Sequence, residues 1–297
     1  YFPSPQGFNT TKLCAPPSNF GASNITSFTT DLSWNYGGTP QEFWVLYGPK
    51  GFSPSSTPNQ DTVSGTTNSY TLGGLSPSFD YDMYLVANCG GTDGVSDTIG
   101  PLNVVTPIAG PRGVNCNTGQ PGAVFFDGFE SPGNWTGDIG TSSGEWNYNT
   151  GGTSSGSTGP SGAHSGNQYL YVETSGIGPY TATIVSPAID LTTANDSAEL
   201  SFWIHAYGAT MGTLDVGVGT SPTGPFTTVF TQNGQLQSSE SDPYQNVGVR
   251  LDNYVGQTIY LQFDYTSGSS FTGDIAIDEL EVTSCQTCPF PSQLALD

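Results

Sequence analysis

The sequence predicts an all-β chain built of two sandwiches in tandem. Three observations carry that reading. Short apolar-alternating runs recur along the chain and are punctuated by Gly, Pro, Ser, Thr and Asn, with 40 Gly and 22 Pro in 297 residues. That is the pattern of strands joined by turns rather than of helices. The length suits about two domains of ordinary size, and the Pro/Gly-rich stretch Pro107-Ile108-Ala109-Gly110-Pro111-Arg112-Gly113-Val114-Asn115 divides the strand-like runs into two blocks.

In the first block, residues 14–107, the strand-like runs are Asp31-Leu32-Ser33-Trp34, Phe43-Trp44-Val45-Leu46-Tyr47, Ser69-Tyr70-Thr71-Leu72 and Tyr81-Asp82-Met83-Tyr84-Leu85-Val86-Ala87. Turn signals separate them at Gly37-Gly38, between Pro49 and Pro58, and at Gly90-Gly91. A strand ending in Trp34, an aromatic strand, and then Tyr70-x-Leu72-x-x-Leu75-x-Pro77-x-x-x-Tyr81 is an order that resembles a fibronectin type III domain. The resemblance implies an Ig-like β-sandwich with Trp34 in its core. It also implies a corner at Leu75 and Tyr81, where the tyrosine hydroxyl satisfies upstream backbone. No Arg-Gly-Asp is present to support integrin binding. Residues 1–13 read as a tail or linker, and 108–115 as a short, partly stiff connector.

The second block, residues 116–285, runs through Phe125-Phe126-Asp127-Gly128-Phe129-Glu130, Trp135, Glu145-Trp146-Asn147 and His164-Ser165-Gly166-Asn167-Gln168-Tyr169-Leu170-Tyr171-Val172-Glu173. It continues through Leu200-Ser201-Phe202-Trp203-Ile204-His205-Ala206-Tyr207 to Gly273-Asp274-Ile275-Ala276-Ile277-Asp278-Glu279-Leu280-Glu281-Val282. This ordered series resembles the MAM domain, a jelly-roll β-sandwich of extracellular adhesion proteins and secreted enzymes. The internal cysteine pairs of animal members are missing, which points to a bacterial form, so animal-type homophilic adhesion is not implied.

The five cysteines read as two structural disulfides and one left over, in an oxidising compartment, rather than as redox or metal chemistry. Cys285-Gln286-Thr287-Cys288 is a lone CxxC without a βαβ context. With the domains divided as above, Cys14 pairs with Cys89 and Cys116 with Cys285. Residues 286–297 then read as the start of a truncated following module, because Cys288-Pro289-Phe290-Pro291-Ser292 echoes Cys14-Ala15-Pro16-Pro17-Ser18. The chain is therefore expected to be a mature fragment of a secreted or cell-surface protein, covalently attached to further modules.

Four basic residues against twenty-five acids give a net charge of -21. A field of that sign repels nucleic acid, anionic membranes and sulfated polymers, and favours divalent cations and neutral or basic partners. No stretch approaches the ~20 apolar residues of a membrane helix, so no membrane insertion is expected. The acids are uneven, with seven against one Lys in 14–107 and seventeen against one Arg in 116–285.

Within the last strand-like run, Ile275 and Ile277 alternate in one phase and Leu280 and Val282 in the other. A strand with period 2 does this only through a bulge or kink. The slip falls on Asp278-Glu279. Irregular backbone beside acids, with little Lys or Arg to neutralise them, points to a structural calcium. If the first and last strands of the jelly roll lie side by side, its ligands are Asp127, Glu130 and Asp278, with oxygens of the Ser165-Gly166-Asn167 loop and Asn167 itself. Asp274 is either a further ligand or a turn cap.

A second candidate is a sheet face. Opposite the core phase Leu200, Phe202 and Ile204 lie Trp203, His205 and Tyr207. Neighbouring runs add Asp215, Tyr260, Gln262 and Asp264. Aromatic rings interleaved with carboxylates and carboxamides suit sugars, so Trp203, His205, Tyr207, Asp215, Tyr260 and Gln262 form the expected ligand site. The competing reading is a second core layer beneath loops. Loop aromatics Trp135, Trp146, Tyr148, Tyr180 and Phe271 are expected to build a rim, with Trp146 packed by the family pattern.

No catalytic set is apparent. The two histidines, His164 and His205, belong to no nucleophile elbow and form no cluster for zinc. The expectation is a non-catalytic binding or adhesion region, with an extracellular polysaccharide or a surface protein as partner. The alternative is a spacer or protein-interaction module that positions an attached enzyme.

Overall fold

The computed structural model describes residues 14–55, 59–176 and 178–286. The expected tail at 1–13 and Cys288, with the expected start of a following module, lie outside the described residues. The chain divides into two units, Tyr1–Pro107 and Ile108–Asp297. Among the described residues every regular element is a strand apart from one short 3-10 turn, Asp252–Tyr254.

The first unit contains β1 (Ser18–Ser23), β2 (Thr30–Asn35), β3 (Glu42–Pro49), β4 (Asn59–Ser64), β5 (Ser69–Leu72), β6 (Asp80–Gly90), β7 (Gly94–Val95) and β8 (Ile99–Val105). One sheet has the order β1-β2-β5; the other has β4-β3-β6, with β7 and β8 both on β6. Alternation decides what each strand buries. Leu32 and Trp34 of β2 point inward against Phe43, Val45, Leu72, Met83 and Leu85, while Ser33 faces out. Leu75 and Tyr81 are buried, and the Tyr81 hydroxyl accepts the Ser76 amide at 2.9 Å, which is the expected corner. Cys14 and Cys89 are bonded.

The second unit contains β9 (Gln120–Asp127), β10 (Thr136–Gly137), β11 (Trp146–Thr150), β12 (Gln168–Val172), β13 (Thr181–Val185) and β14 (Ile189–Asp190). It continues with β15 (Ala194–Ala206), β16 (Thr213–Gly219), β17 (Thr227–Asn233), β18 (Gln245–Arg250), β19 (Thr258–Thr266) and β20 (Ile275–Gln286). Two six-stranded sheets stack. Sheet I has the order β11-β12-β20-β15-β18, with β9 also on β20; sheet II has β10-β13-β19-β16-β17, with β14 also on β19. Their facing phases make one core: Leu200, Phe202 and Ile204 of β15 meet Leu214 and Val216 of β16 and Leu261 and Phe263 of β19. Full burial of each such side chain stabilises by about 1.5–3 kcal/mol. Cys116 and Cys285 are bonded at the two ends of this unit.

The phase slip in β20 is a bulge. Ser201 pairs with Glu281 and Trp203 with Asp278, so Glu279 and Leu280 together oppose Phe202. Glu279 takes φ 43°, a left-handed value that a non-glycine residue seldom adopts. The extra residue lets Ile275, Ile277, Leu280 and Val282 all enter one core.

Residues 108–113 are strapped to the second unit. The Ala109 carbonyl accepts the Gly248 amide of β18 at 2.8 Å. The buried Glu199 carboxylate accepts the amides of Arg112 and Gly113 at 2.9 and 2.8 Å, and Arg250 Nη1 donates to the Gly113 carbonyl at 2.7 Å. Gly248 is required for the close approach, because a Cβ there would lie 2.4 Å from Pro111 Cα. Gly248→Ala is predicted to lift this segment off β18, at a cost of about 1–3 kcal/mol. Limited proteolysis should then cut faster within residues 108–113, and an unchanged cutting rate would contradict the packing.

Candidate functional site

The bulge is also where β20 changes partner. Ile275, Ala276 and Ile277 pair with Val172, Tyr171 and Leu170 of β12, whereas Leu280 pairs with Asp127 of β9. The first and last strands therefore lie side by side, and the loop before β12 fills the junction. Asp278, fully buried, holds that loop: its Oδ2 accepts the amides of His164 and Ser165 at 2.9 and 3.1 Å, and its Oδ1 accepts the Glu279 amide at 2.8 Å. Burial pushes the Asp278 carboxyl up to about 6, against the opposing pull of those three amides.

Glu130 does the same one turn further along. Its Oε1 accepts the amides of Asn167 and Gln168 at 2.9 and 3.2 Å. A Cβ at Gly166, where φ is +61°, would lie 1.9 Å from that oxygen, so only glycine admits the contact. Asp127 is occupied by the Phe129 amide and the Trp135 indole N–H, both at 2.8 Å. Asn167 contributes a backbone amide and is itself exposed.

This donor set does not fit calcium. The loop turns N–H groups, not carbonyls, toward both acids, which is the way a backbone cradle holds an anion. Calcium needs six to eight oxygens converging at ~2.4 Å. Among the described residues no group of three or more His, Cys, Asp or Glu side chains converges as metal ligands. Asp127, Glu130, Asn167 and Asp278 hold the strand junction, and no cation is assigned to them.

The six expected ligand-binding residues do not share one surface. Trp203, His205 and Tyr207 belong to β15 of sheet I and the residue after it, whereas Asp215, Tyr260 and Gln262 belong to sheet II. Since the inner phases of both sheets face one core, the outer phases point in opposite directions. The order of strands across two sheets is a tertiary property that alternation within a strand does not encode.

The sheet I face is covered over β12, β20 and β15, while Phe126 of β9 stays exposed on it. Tyr169, Tyr171, Tyr244 and Ala276 form a buried second layer with Ala163 and Trp203 packed against it. The His164 ring stacks on Trp203 at 3.8 Å between centroids and 16° between planes. His205 is fully buried, 5.2 Å from the Tyr244 ring. Neither of its ring nitrogens has a hydrogen bond of normal geometry; the backbone of Ser239 and Asp242 provides the nearest polar groups. The loop aromatics follow the same logic: Trp135 and Trp146 are core residues rather than a rim, while Phe271 is exposed.

The sheet II face is open. A row runs across four strands, Thr183 of β13, Asp264 of β19, Asp215 of β16 and Thr231 of β17, as direct partners. Thr183 donates to Asp264 at 3.1 Å and Thr231 donates to Asp215. Like charges opposite one another destabilise a sheet by roughly 0.2–1 kcal/mol, so this pair is kept at a cost. The next rows place Gln262 beside Gly217 and Tyr260 beside Gly219. The Phe226 side chain occupies the space above both glycines, where a Cβ would meet it at 3.0 Å. Phe226 was not legible as part of this face, although Gly217 and Gly219 at outward positions are the signal that something else covers the sheet there.

Burial lowers the His205 imidazole to about 4, only partly offset by the Ser239 backbone and the charges of Asp242 and Glu240. A folded-state value below the unfolded one means that this histidine's contribution is present above pH 6.5 and is lost as pH falls toward 4. The loss amounts to about 3 kcal/mol. His205→Leu is predicted to flatten the fall in melting temperature between pH 6.5 and 4. An equally steep fall in the variant would show that His205 is not its source.

Comparison with known proteins gives two consecutive matches. The family model described as MAM domain, meprin/A5/mu matches residues 127–289, and that of the fibronectin type III domain matches residues 15–99. Among solved structures, the fn3 domain of human collagen alpha-1(XX) chain is 25% identical, over 33% of this chain and 90% of that one, with a TM-score of 0.29. One described as "Myokine structure" is 20% identical, over 32% and 98%, with a TM-score of 0.28. The FN1-FN3 domains of chicken CNTN1 are 16% identical, over 31% of each chain, also at 0.28.

Proposed function

The chain belongs to the MAM domain family, and on that footing we propose that it is a non-catalytic binding region of a secreted or cell-surface protein. Its ligand is a neutral, hydroxyl-rich polysaccharide held on the open face of sheet II. Fibronectin type III and MAM domains are extracellular adhesion and interaction modules, and two disulfides suit that compartment.

One observation carries the choice of surface: a second aromatic layer packs over Tyr169, Tyr171 and Trp203 on sheet I, whereas sheet II presents Tyr260, Gln262, Asp264, Asp215 and Phe226 partly exposed on one shelf. Rings of this kind stack on the CH-rich face of a pyranose, and carboxylates and carboxamides accept from its hydroxyls. The net charge of -21 disfavours sulfated or uronic polymers and leaves neutral ones. The strapped connector at 108–113 supports a second role, in which the first unit is a spacer that positions neighbouring modules.

Affinity electrophoresis against neutral and anionic glycans tests this reading. Retardation is expected with a neutral glycan, lost in Tyr260→Ala and Asp264→Asn and unaffected by Phe271→Ala. No retardation by any glycan would leave the spacer and protein-interaction role in its place.

A further inference from the structure

Two buried carboxylates on sheet I lie outside both the strand junction and the sheet II face. Asp274, immediately before β20, is fully buried, and Glu173, immediately after β12, is nearly so. The register that pairs Val172 with Ile275 sets Glu173 opposite Asp274, in the outward phase of Tyr171 and Ala276. Antiparallel residues in that relation have neighbouring side chains.

Their hydrogen bonds make one an anion and leave the other short of donors. Glu173 accepts the Ser175 amide at 2.9 Å and the hydroxyls of Ser154 and Tyr171. Burial raises its carboxyl, but the donors overcome that and hold it below the ordinary glutamate value. Asp274 Oδ1 accepts the Thr174 amide and hydroxyl, both at 2.9 Å, whereas its Oδ2 is buried without a hydrogen-bond partner. The Thr153 hydroxyl lies beside this carboxyl but donates to the Thr158 carbonyl at 2.8 Å. A carbonyl only accepts, so Thr153 has lone pairs rather than its hydrogen to offer Oδ2. An ionised Oδ2 is repelled there; a protonated one can donate.

The covering loop rests on this residue. The Asp274 amide donates to the Thr158 hydroxyl at 2.8 Å, and the Tyr169 hydroxyl donates to the Gly151 carbonyl at 2.9 Å. Gly159, at φ +62°, brings the loop close: a Cβ there would lie 2.5 Å from Thr153 Cγ2 and 3.2 Å from Asp274 Cβ. The far side of the loop is held by Glu240, which accepts the amides of Ser157 and Ser161. Among the described residues, the titratable groups that act on Asp274 are Glu173, Tyr169 and Tyr171 from the β12 side and Tyr265 of β19, and none is basic. Burial keeps the three phenols protonated. Burial, and then the charge of Glu173, push the Asp274 carboxyl up to about 7.

We infer that Asp274 is a neutral carboxylic acid whose Oδ2–H donates to Thr153, and that this proton latches the loop at 151–161 onto sheet I. A carboxyl raised by closure binds its proton more tightly in the closed state. The latch is therefore fully set below the ordinary value of 3.8 and is lost as pH rises through about 7. Above that pH the equilibrium constant for opening the loop rises by up to about tenfold per pH unit. Opening uncovers Tyr169 and Tyr171. The latch is separate from the polysaccharide face and stands or falls without it.

Hydrogen exchange of the full chain between pH 6 and 8.5, corrected for the intrinsic chemical rate, tests the latch. The probes are the amides of Thr153 and Gly159, bonded to the carbonyls of Pro160 and Tyr207. Their protection is expected to be flat below pH 7 and to fall above it. Asp274→Asn, whose amide can donate to Thr153 as the acid does, should keep the loop protected and remove the pH dependence. Glu173→Gln, which removes the neighbouring charge, should move the onset to lower pH. The infrared carbonyl band of a protonated carboxyl should disappear between pH 6 and 8.5 and be missing from Asp274→Asn.

Protection that does not change with pH in the unaltered chain would overturn the proposal, because Asp274 would then be ionised throughout. A loop already open at pH 6 in Asp274→Asn would overturn it as well. If that variant does not fold, Glu173→Gln decides, and an unmoved onset counts against the latch. Failure of the polysaccharide assay has no bearing on any of these outcomes.

Discussion

The buried carboxylate of Asp278 is the constraint on which the second unit depends. It sits at the bulge of β20, where the apolar phase of the strand changes and its neighbour changes from β12 to β9. A gap between two neighbours leaves backbone amides without ladder partners, and orphaned buried amides are costly. Asp278 accepts three of them, and Glu130 accepts two more from the same loop. The loop so held carries His164, whose ring closes over Trp203. One carboxylate thus links the core phase, the edge exchange and the covering of Trp203.

Carboxylates elsewhere in this acidic chain do similar work on backbone. Glu199 takes two amides of the connector, and Asp196 takes the amides of Asn117 and Thr118. Much of the negative charge is thereby spent on holding loops, which fits a protein with only four basic residues to offer as partners. The Cys116–Cys285 bond closes the same unit covalently across 169 residues, and a loop that long limits the unfolded chain by about 5 kcal/mol in the entropic account.

Much of this was legible in the residues. Ile275 and Ile277 against Leu280 and Val282 require a bulge wherever the strand lies, because the side-chain period of a strand is fixed by the backbone. Leu200, Phe202 and Ile204 marked a core-facing phase for an equally local reason, whereas the corner at Leu75 and Tyr81 came from the fibronectin type III resemblance. The direction in which backbone dipoles point was not legible. Acids beside an irregular strand read as ligands awaiting a cation, but the loop at 164–168 presents its N–H groups, and the acids serve those instead. Nor does alternation say which strands share a sheet, so Trp203 and Tyr260 read as neighbours although they lie on opposite outer faces.

What the sequence determined by itself is whatever repeats at the spacing of a strand or a turn: the all-β class, the division near residue 107, the bulge, and the inward and outward phase of each strand. These follow from covalent geometry and the burial of apolar side chains, and both act over a few residues. The tertiary structure alone decided which outward faces are covered, that Phe226 lies over Gly217 and Gly219, and that Asp274 and Glu173 meet beneath a loop. Those outcomes depend on contacts between segments up to a hundred residues apart, and the energy of such a contact resides in neither segment taken alone.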